Sequence, residues 1–257
     1  GKDLKDFVRR IKLDADFTNT IFDFQTVGFF ANVLQNKAQK LNLYGRVYGP
    51  IAHLQSQSLK VKTLSENTSV HLKFSMKGLP DIRKTIFDAK IFELHTKSEE
   101  IDKIITAFAT NSKPVVSPII PKANISVNLD MLGTVYDFKT KGNLISSIGD
   151  AGFDVAIKLQ GKQDGTNIKG EVTTHEIKLG KILSSNALGE VTAGVKADLS
   201  LKGKEHGGMN VNIDSLKIDK FGFNGYNYKD IFAVGYYSDS GFDCRILGHD
   251  PNLHFKI

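Results

Sequence analysis

Residues 125–132 read I-S-V-N-L-D-M-L. Ile125, Val127, Leu129 and Met131 fall on one side of an extended chain, and Ser126, Asn128 and Asp130 fall on the other. Successive side chains of a strand point to opposite faces, so the spacing predicts a half-buried strand. What its apolar face touches decides the fold, because the pattern returns along the chain while helical periodicity is scarce.

Working outward, the same alternation runs through Leu41, Leu43 and Val47, then Leu59 and Val61, then Val70, Leu72, Phe74 and Met76. Gly78-Leu79-Pro80-Asp81 turns the chain, and Phe87, Ala89 and Ile91 alternate again. Gly permits the bend, Pro fixes φ, and Asp can bond the following backbone. Beyond residue 132, further runs are Phe153-Val155-Ile157-Leu159, Val191 to Leu201, Val211-Ile213, Phe221-Phe223, Phe232-Val234-Tyr236 and Phe242-Cys244-Ile246. Glycines at 161, 165, 203, 207, 208 and 241 suit hairpin turns between them.

Helices are few. Thr96-Lys97-Ser98-Glu99 has capping-box spacing ahead of the stripe Ile101, Ile104, Ile105 and Phe108, which predicts a helix over 97–109 that plugs the end or flank of a sheet. Residues 27–38 fit a short helix or an irregular cover, and Leu179 to Ser184 one helical turn. Pro114, Pro118 and Pro121 mark a stiff connection. It divides an N-terminal β part, 1–113, from a C-terminal β part, 114–257, that is expected to continue the first.

Hydrophobic residues make up 40% of the 257 and charged residues 24%, a composition that folds rather than staying disordered. The formal charge is +6, and its lysines are scattered on polar strand positions, as in Leu59-Lys60-Val61-Lys62. Such lysines discourage edge-to-edge aggregation. The other reading is a surface for anionic phospholipid or nucleic acid; no nucleic-acid motif is present, so no nucleic-acid partner is expected. The single Cys244 forms no internal disulfide and, by alternation, reads as a small apolar filler. Gly1 and an ending within a strand-like run (Leu253, Phe255, Ile257) suggest a piece of a longer protein.

Catalytic chemistry finds little support. His175-Glu176 begins like a zinc-protease helix, but position 179 is Leu where the second His would stand. The seven histidines are scattered, no G-x-S-x-G elbow occurs, and no calcium-loop spacing surrounds Asp243 or Asp250. The expectation is a non-enzyme with no metal and no cofactor.

Many antiparallel strands with one apolar face must close, stack or curl. The phrases L-N-L-Y-G-R-V-Y-G (41–49), M-K-G-L-P-D-I-R-K-T (76–85), L-G-K-I-L (179–183), N-G-Y-N-Y-K-D-I (224–231) and D-P-N-L-H-F (250–255), in this order, resemble the TamB family of bacterial envelope proteins in its Bacteroidetes form, and more distantly the AsmA-like proteins. The resemblance runs from about residue 41 onward. Gly248-His249 departs from it, since an acidic or hydroxyl residue is expected there, and residues 1–40 match no family phrase.

The resemblance implies a mainly β fold: a long curled antiparallel sheet, a trough or β-taco, with an apolar interior and one or two short helices. It implies a periplasmic segment of an inner-membrane-anchored protein that guides phospholipid between inner and outer membranes and supports outer-membrane assembly. Acyl chains and an outer-membrane barrel of the TamA or BamA type would be its partners. Leu72 and Phe74, Val127 and Leu129, and Phe153, Val155 and Ile157 would line the groove, with Val195 and Leu199 and with Phe232 and Val234. The alternative is a structural module that fills its own groove and spans the periplasm or binds a protein without carrying lipid.

Overall fold

The structure, a computed structural model, describes residues 11–23, 40–108, 123–159, 165–202 and 208–257; over 104–108 the backbone alone is described. The chain forms two compact units, Gly1–Val135 and Tyr136–Ile257. In the first, β1 (Lys12–Asp23), β2 (Lys40–Pro50), β3 (His53–Thr63), β4 (Ser69–Lys77), β5 (Ile86–Lys97) and β6 (Asn124–Gly133) pair in that order, with α1 (Ser98–Phe108) between β5 and β6 in sequence. In the second, β7 (Asp137–Ser146), β8 (Gly149–Leu159), β9 (Thr166–Lys178), β10 (Leu188–Leu201), β11 (Met209–Phe223), β13 (Ile231–Ser238), β14 (Gly241–Asp250) and β15 (Leu253–Lys256) follow one another. The three-residue β12 (Tyr226–Tyr228) pairs with β11, and α2 (Leu179–Ile182) joins β9 to β10. Within each unit the described strands pair antiparallel. Among the described residues neither unit closes into a barrel, since β1 does not pair with β6 nor β7 with β15.

Turn chemistry fixes the register of the β11–β12 hairpin. Asn224 (φ 48°) and Gly225 (φ 81°) are the two central residues between the paired Phe223 and Tyr226, the type I′ arrangement whose twist matches its strands. Bulges interrupt several ladders, among them one at Asn19 (φ 60°) and one at Glu176 (φ 51°). A bulge bends its strand and increases local twist. His175-Glu176 therefore belongs to a bulged strand, not to a metal-binding helix.

Among the described residues the buried core is small. In the first unit it holds Leu43, Val47, Leu59, Ala123 and Ile125; in the second, Ile148 at the β7–β8 turn. Ile125, the first residue of the decisive stretch, is 1% exposed.

Beside Ile125 a buried hydroxyl network leads into α1. The Thr68 and Thr96 hydroxyls bond at 2.8 Å, the Ser98 N–H donates to the Ala123 carbonyl (3.1 Å), and the Ala123 N–H donates to Ser98 Oγ (3.2 Å). The expected capping box is not made, because Thr96 still belongs to β5 and its hydroxyl serves Thr68. The helix nonetheless follows Ser98 as the spacing predicted.

The described side chain of the expected stripe is Ile101; those of Ile104, Ile105 and Phe108 lie outside the described residues, as do the helix expected over 27–38, the proline-marked connection and the glycines at 161, 203 and 207. The units divide between Val135 and Tyr136 rather than near residue 113, because β6 pairs along β5 from Asn124 to Gly133 and so belongs with the first unit.

Candidate functional site

Residues paired directly across antiparallel strands share a face, so the registers sort every side chain. In the first unit Leu59, Leu72, Ile91 and Leu129 form one row across β3 to β6. Val61, Val70, Leu94 and Val127 form the next, and Ser56, Phe74, Ala89 and Met131 a third. No charged residue stands in these rows. The expected lining residues Leu72, Phe74, Val127 and Leu129 therefore meet on one face, and all four are half-buried rather than buried. The opposite face carries Lys60, Lys73, Lys90 and Asp130.

The second unit repeats the arrangement over more strands. Phe138, Ile157, Ile168, Leu199, Val211 and Tyr237 form one row, and Gly142, Phe153, Val172, Val195, Leu216 and Ala233 form another. Between them runs a row with smaller side chains: Thr140, Val155, Gly170, Ala197, Ile213, Gly235 and Cys244. Gly170, Ala197 and Gly235 carry less side chain here than their neighbours in the two flanking rows. At Gly170 (φ 154°) an added Cβ would lie 2.1 Å from the Asp154 carbonyl oxygen, so the backbones of β8 and β9 approach where only glycine fits. Phe153, Val155, Ile157, Val195 and Leu199 all stand on this face and all are half-buried.

Two expected lining residues do not belong there. Phe232 pairs with Lys217 and Leu247, which places it and Val234 on the opposite, charged face, 37% and 45% exposed. Ile231, Ala233, Gly235 and Tyr237 are the β13 residues on the apolar side. Since β13 is apolar at both parities, its own alternation leaves the face undetermined, and only pairing with Leu216 and Ile218 decides it. Cys244 shares the apolar face but is exposed and fills no core, because it lies beyond the part of β14 that β15 covers. The contributions of β7 and β9, such as Phe138, Ile168 and Val172, went unread in the sequence; Ile168-Lys169-Gly170-Glu171-Val172 carries the period-two signal that could have found them.

Cross-strand ion pairs lie on the other face. Lys141–Asp154 (3.0 Å), Lys169–Asp198 (3.2 Å) and Lys220–Glu190 (2.9 Å) bridge neighbouring strands of the second unit. The hydrogen bond between Lys220 and Glu190 holds the carboxyl below and the ammonium above their ordinary ranges. Such exposed pairs contribute little stability.

The one intensively bonded carboxylate, Asp250, is 1% exposed and accepts from Tyr226 Oη (2.8 Å), the Lys229 N–H (2.9 Å) and the Asn252 N–H (2.8 Å). Burial pushes its pKa up, but the donors from Asn252, Tyr226 and Lys229 outweigh this and leave it below the ordinary value. With every donor supplied by the β12 region and the β14–β15 turn, this carboxylate ties the two together.

Among the described residues no group of three metal-ligating side chains gathers, and no helix is long and apolar enough to cross a membrane. Depressions of about 320 and 400 Å³ occur in the second unit, bordered largely by polar residues such as Glu171, Thr173 and Lys217, or Asn210 and Ser238. Compared with protein-family models, curated proteins and solved structures, the chain matches none.

Proposed function

We propose that the chain guides phospholipid along its apolar faces, as part of a cell-envelope protein working between inner and outer membrane. The observation that carries this reading is the uncharged face in each unit, whose Leu, Val, Ile and Phe side chains remain half-buried among the described residues. A self-filled module would bury such side chains, and among the described residues burial of that kind is confined to Leu43, Val47, Leu59, Ala123, Ile125 and Ile148.

Dimensions agree with an acyl chain. The row from Thr140 on β7 to Cys244 on β14 crosses seven strands. Six inter-strand gaps span about 29 Å, and one leaflet's hydrocarbon is roughly 15 Å deep. Each methylene taken from water contributes about 0.8 kcal/mol, so uniform apolar walls hold a chain without fixing its position along them. No charged anchor stands in the rows to stop sliding.

The ordered phrases that resemble the TamB family supply the rest of the proposal: a periplasmic location, a phospholipid cargo and an outer-membrane barrel of the TamA or BamA type as partner. The reaction is carriage, without bond chemistry.

Photo-crosslinking tests it. A benzophenone side chain at Leu129 or Val195 is expected to capture phospholipid in bacterial envelopes, and one at Asn128 or Lys196, on the other face, is not. Equal capture at all four positions, or none at Leu129 and Val195, would reject the proposal in favour of a scaffold.

A further inference from the structure

On the polar face of β3 to β5 five lysines, Lys60, Lys62, Lys73, Lys77 and Lys90, stand with two carboxylates, Asp88 and Glu93. On the second unit's polar face Lys141 pairs with Asp154, Lys158 with Asp137 and Lys169 with Asp198. In the first unit Lys60, Lys62, Lys73 and Lys77 have no carboxylate partner among the described residues. Lys73 stands directly across from Lys90, whose own contact with Asp130 is long at 3.6 Å. Like charges directly opposed across strands are destabilising, so this pair works against the fold.

We propose that this polar face of the first unit docks on an anionic phospholipid bilayer. Registers place Lys60 and Lys62 on β3, Lys73 and Lys77 on β4, and Lys90 on β5, all on the face opposite Leu72 and Leu129. Lys60, Lys73, Lys77 and Lys90 are exposed, and Lys62 is half-exposed. Neighbouring strands are about 4.8 Å apart and alternate residues about 6.7 Å, so the ammonium groups form a sheet of positive charge matched to a plane of headgroups.

A depression of about 200 Å³ lined by Lys60, Lys62, Ser69, His71 and Glu93 lies within it. Glu93 is the acid there and is taken up by His95 at 2.5 Å. The Phe92 ring, 41% exposed and 5.0 Å from the His71 ring, adds an apolar group among the cations, the combination that suits a bilayer interface. Arg46 on the same face is held by Asp14 through two hydrogen bonds, so the free cations are lysines, point charges suited to a diffuse field rather than to bidentate reading of bases. The inference rests on charge and stands whether or not the apolar faces carry lipid.

Vesicle flotation tests it. The chain is expected to float with vesicles of equal parts phosphatidylglycerol and phosphatidylcholine, to lose this in high salt, and not to float with phosphatidylcholine alone. The triple variant Lys60→Gln, Lys62→Gln, Lys73→Gln should weaken partition by roughly fivefold per lysine, about a hundredfold in all. The same three positions changed to Arg should retain binding and show that folding is intact. The triple variant Lys141→Gln, Lys158→Gln, Lys169→Gln removes as much charge from the second unit and should retain binding. Equal losses in the two Gln variants, flotation with neutral vesicles, or tighter binding to single-stranded DNA at matched phosphate would overturn it.

Discussion

Val195→Asp puts a carboxylate in the middle of the second unit's apolar face, between Val172 on β9 and Leu216 on β11. Val195 is half-buried, so losing its apolar burial costs about 1 kcal/mol of folding stability. The two cross-strand apolar pairs contribute about 0.5 kcal/mol each. The sum, about 2 kcal/mol, lies in the ordinary range for a single substitution, and the variant is expected to fold. Binding should suffer more specifically. A hydrated carboxylate denies an acyl chain contact over about three methylenes, or roughly 2.4 kcal/mol, a loss of about fiftyfold in affinity. The assay is titration with a phospholipid carrying a fluorescent acyl chain, read beside the urea midpoint of each variant. Thr173→Asp is the control, one residue along β9 from Val172 but exposed on the opposite face. Unchanged affinity in Val195→Asp, or the same loss in both variants, would refute the reasoning.

Three further outcomes follow from named contacts. Phe232→Asp and Val234→Asp should leave phospholipid affinity within about twofold of the parent, because both residues stand on the charged face; a loss as large as that of Val195→Asp would show the register argument to be wrong. Gly170→Ala drives a methyl group into the Asp154 carbonyl and should cost more stability than the roughly 1 kcal/mol typical of a point substitution, read as a lower thermal midpoint by circular dichroism; a neutral result would mean β8 and β9 are not so close.

Asp250 has a folded pKa below its unfolded value of 3.8, so its stabilisation is fully present above that value and disappears as pH falls through the folded one. Urea midpoints between neutral and strongly acid pH should therefore fall less steeply in Asp250→Asn than in the parent, from a lower starting point; parallel curves would remove Asp250 from the acid response.

Much of this fold is legible because strand alternation is a local signal. Ile125, Val127, Leu129 and Met131 announce both a strand and its face, and the structure places all four on the apolar side of β6. The single-turn α2 and the helix after Ser98 were also readable. What was hidden depends on partners. The face of Phe232 follows from Lys217 on another strand, and no property of β13 by itself reveals it. β9 was obscured because Gly170 and Thr174 occupy apolar-face positions, weakening the contrast with Lys169 and Glu171. The hydroxyl of Thr96 had two uses open to it, a helix cap or a bond to Thr68, and sequence spacing favours the cap while tertiary pairing chose Thr68. Lysines read one by one as solvated charges gain meaning only when cross-strand pairing shows which are answered, as Lys141 is, and which are not, as Lys73 is not.

Native mass spectrometry tests the central claim most directly, on chain purified from a bacterial envelope without detergent, with lipid extraction of the same sample. The account predicts co-purifying phospholipid at near one molecule per chain or more, and uptake of added phospholipid by any empty fraction. A clean protein mass that takes up none would contradict it, and would leave the apolar faces as the walls of a scaffold.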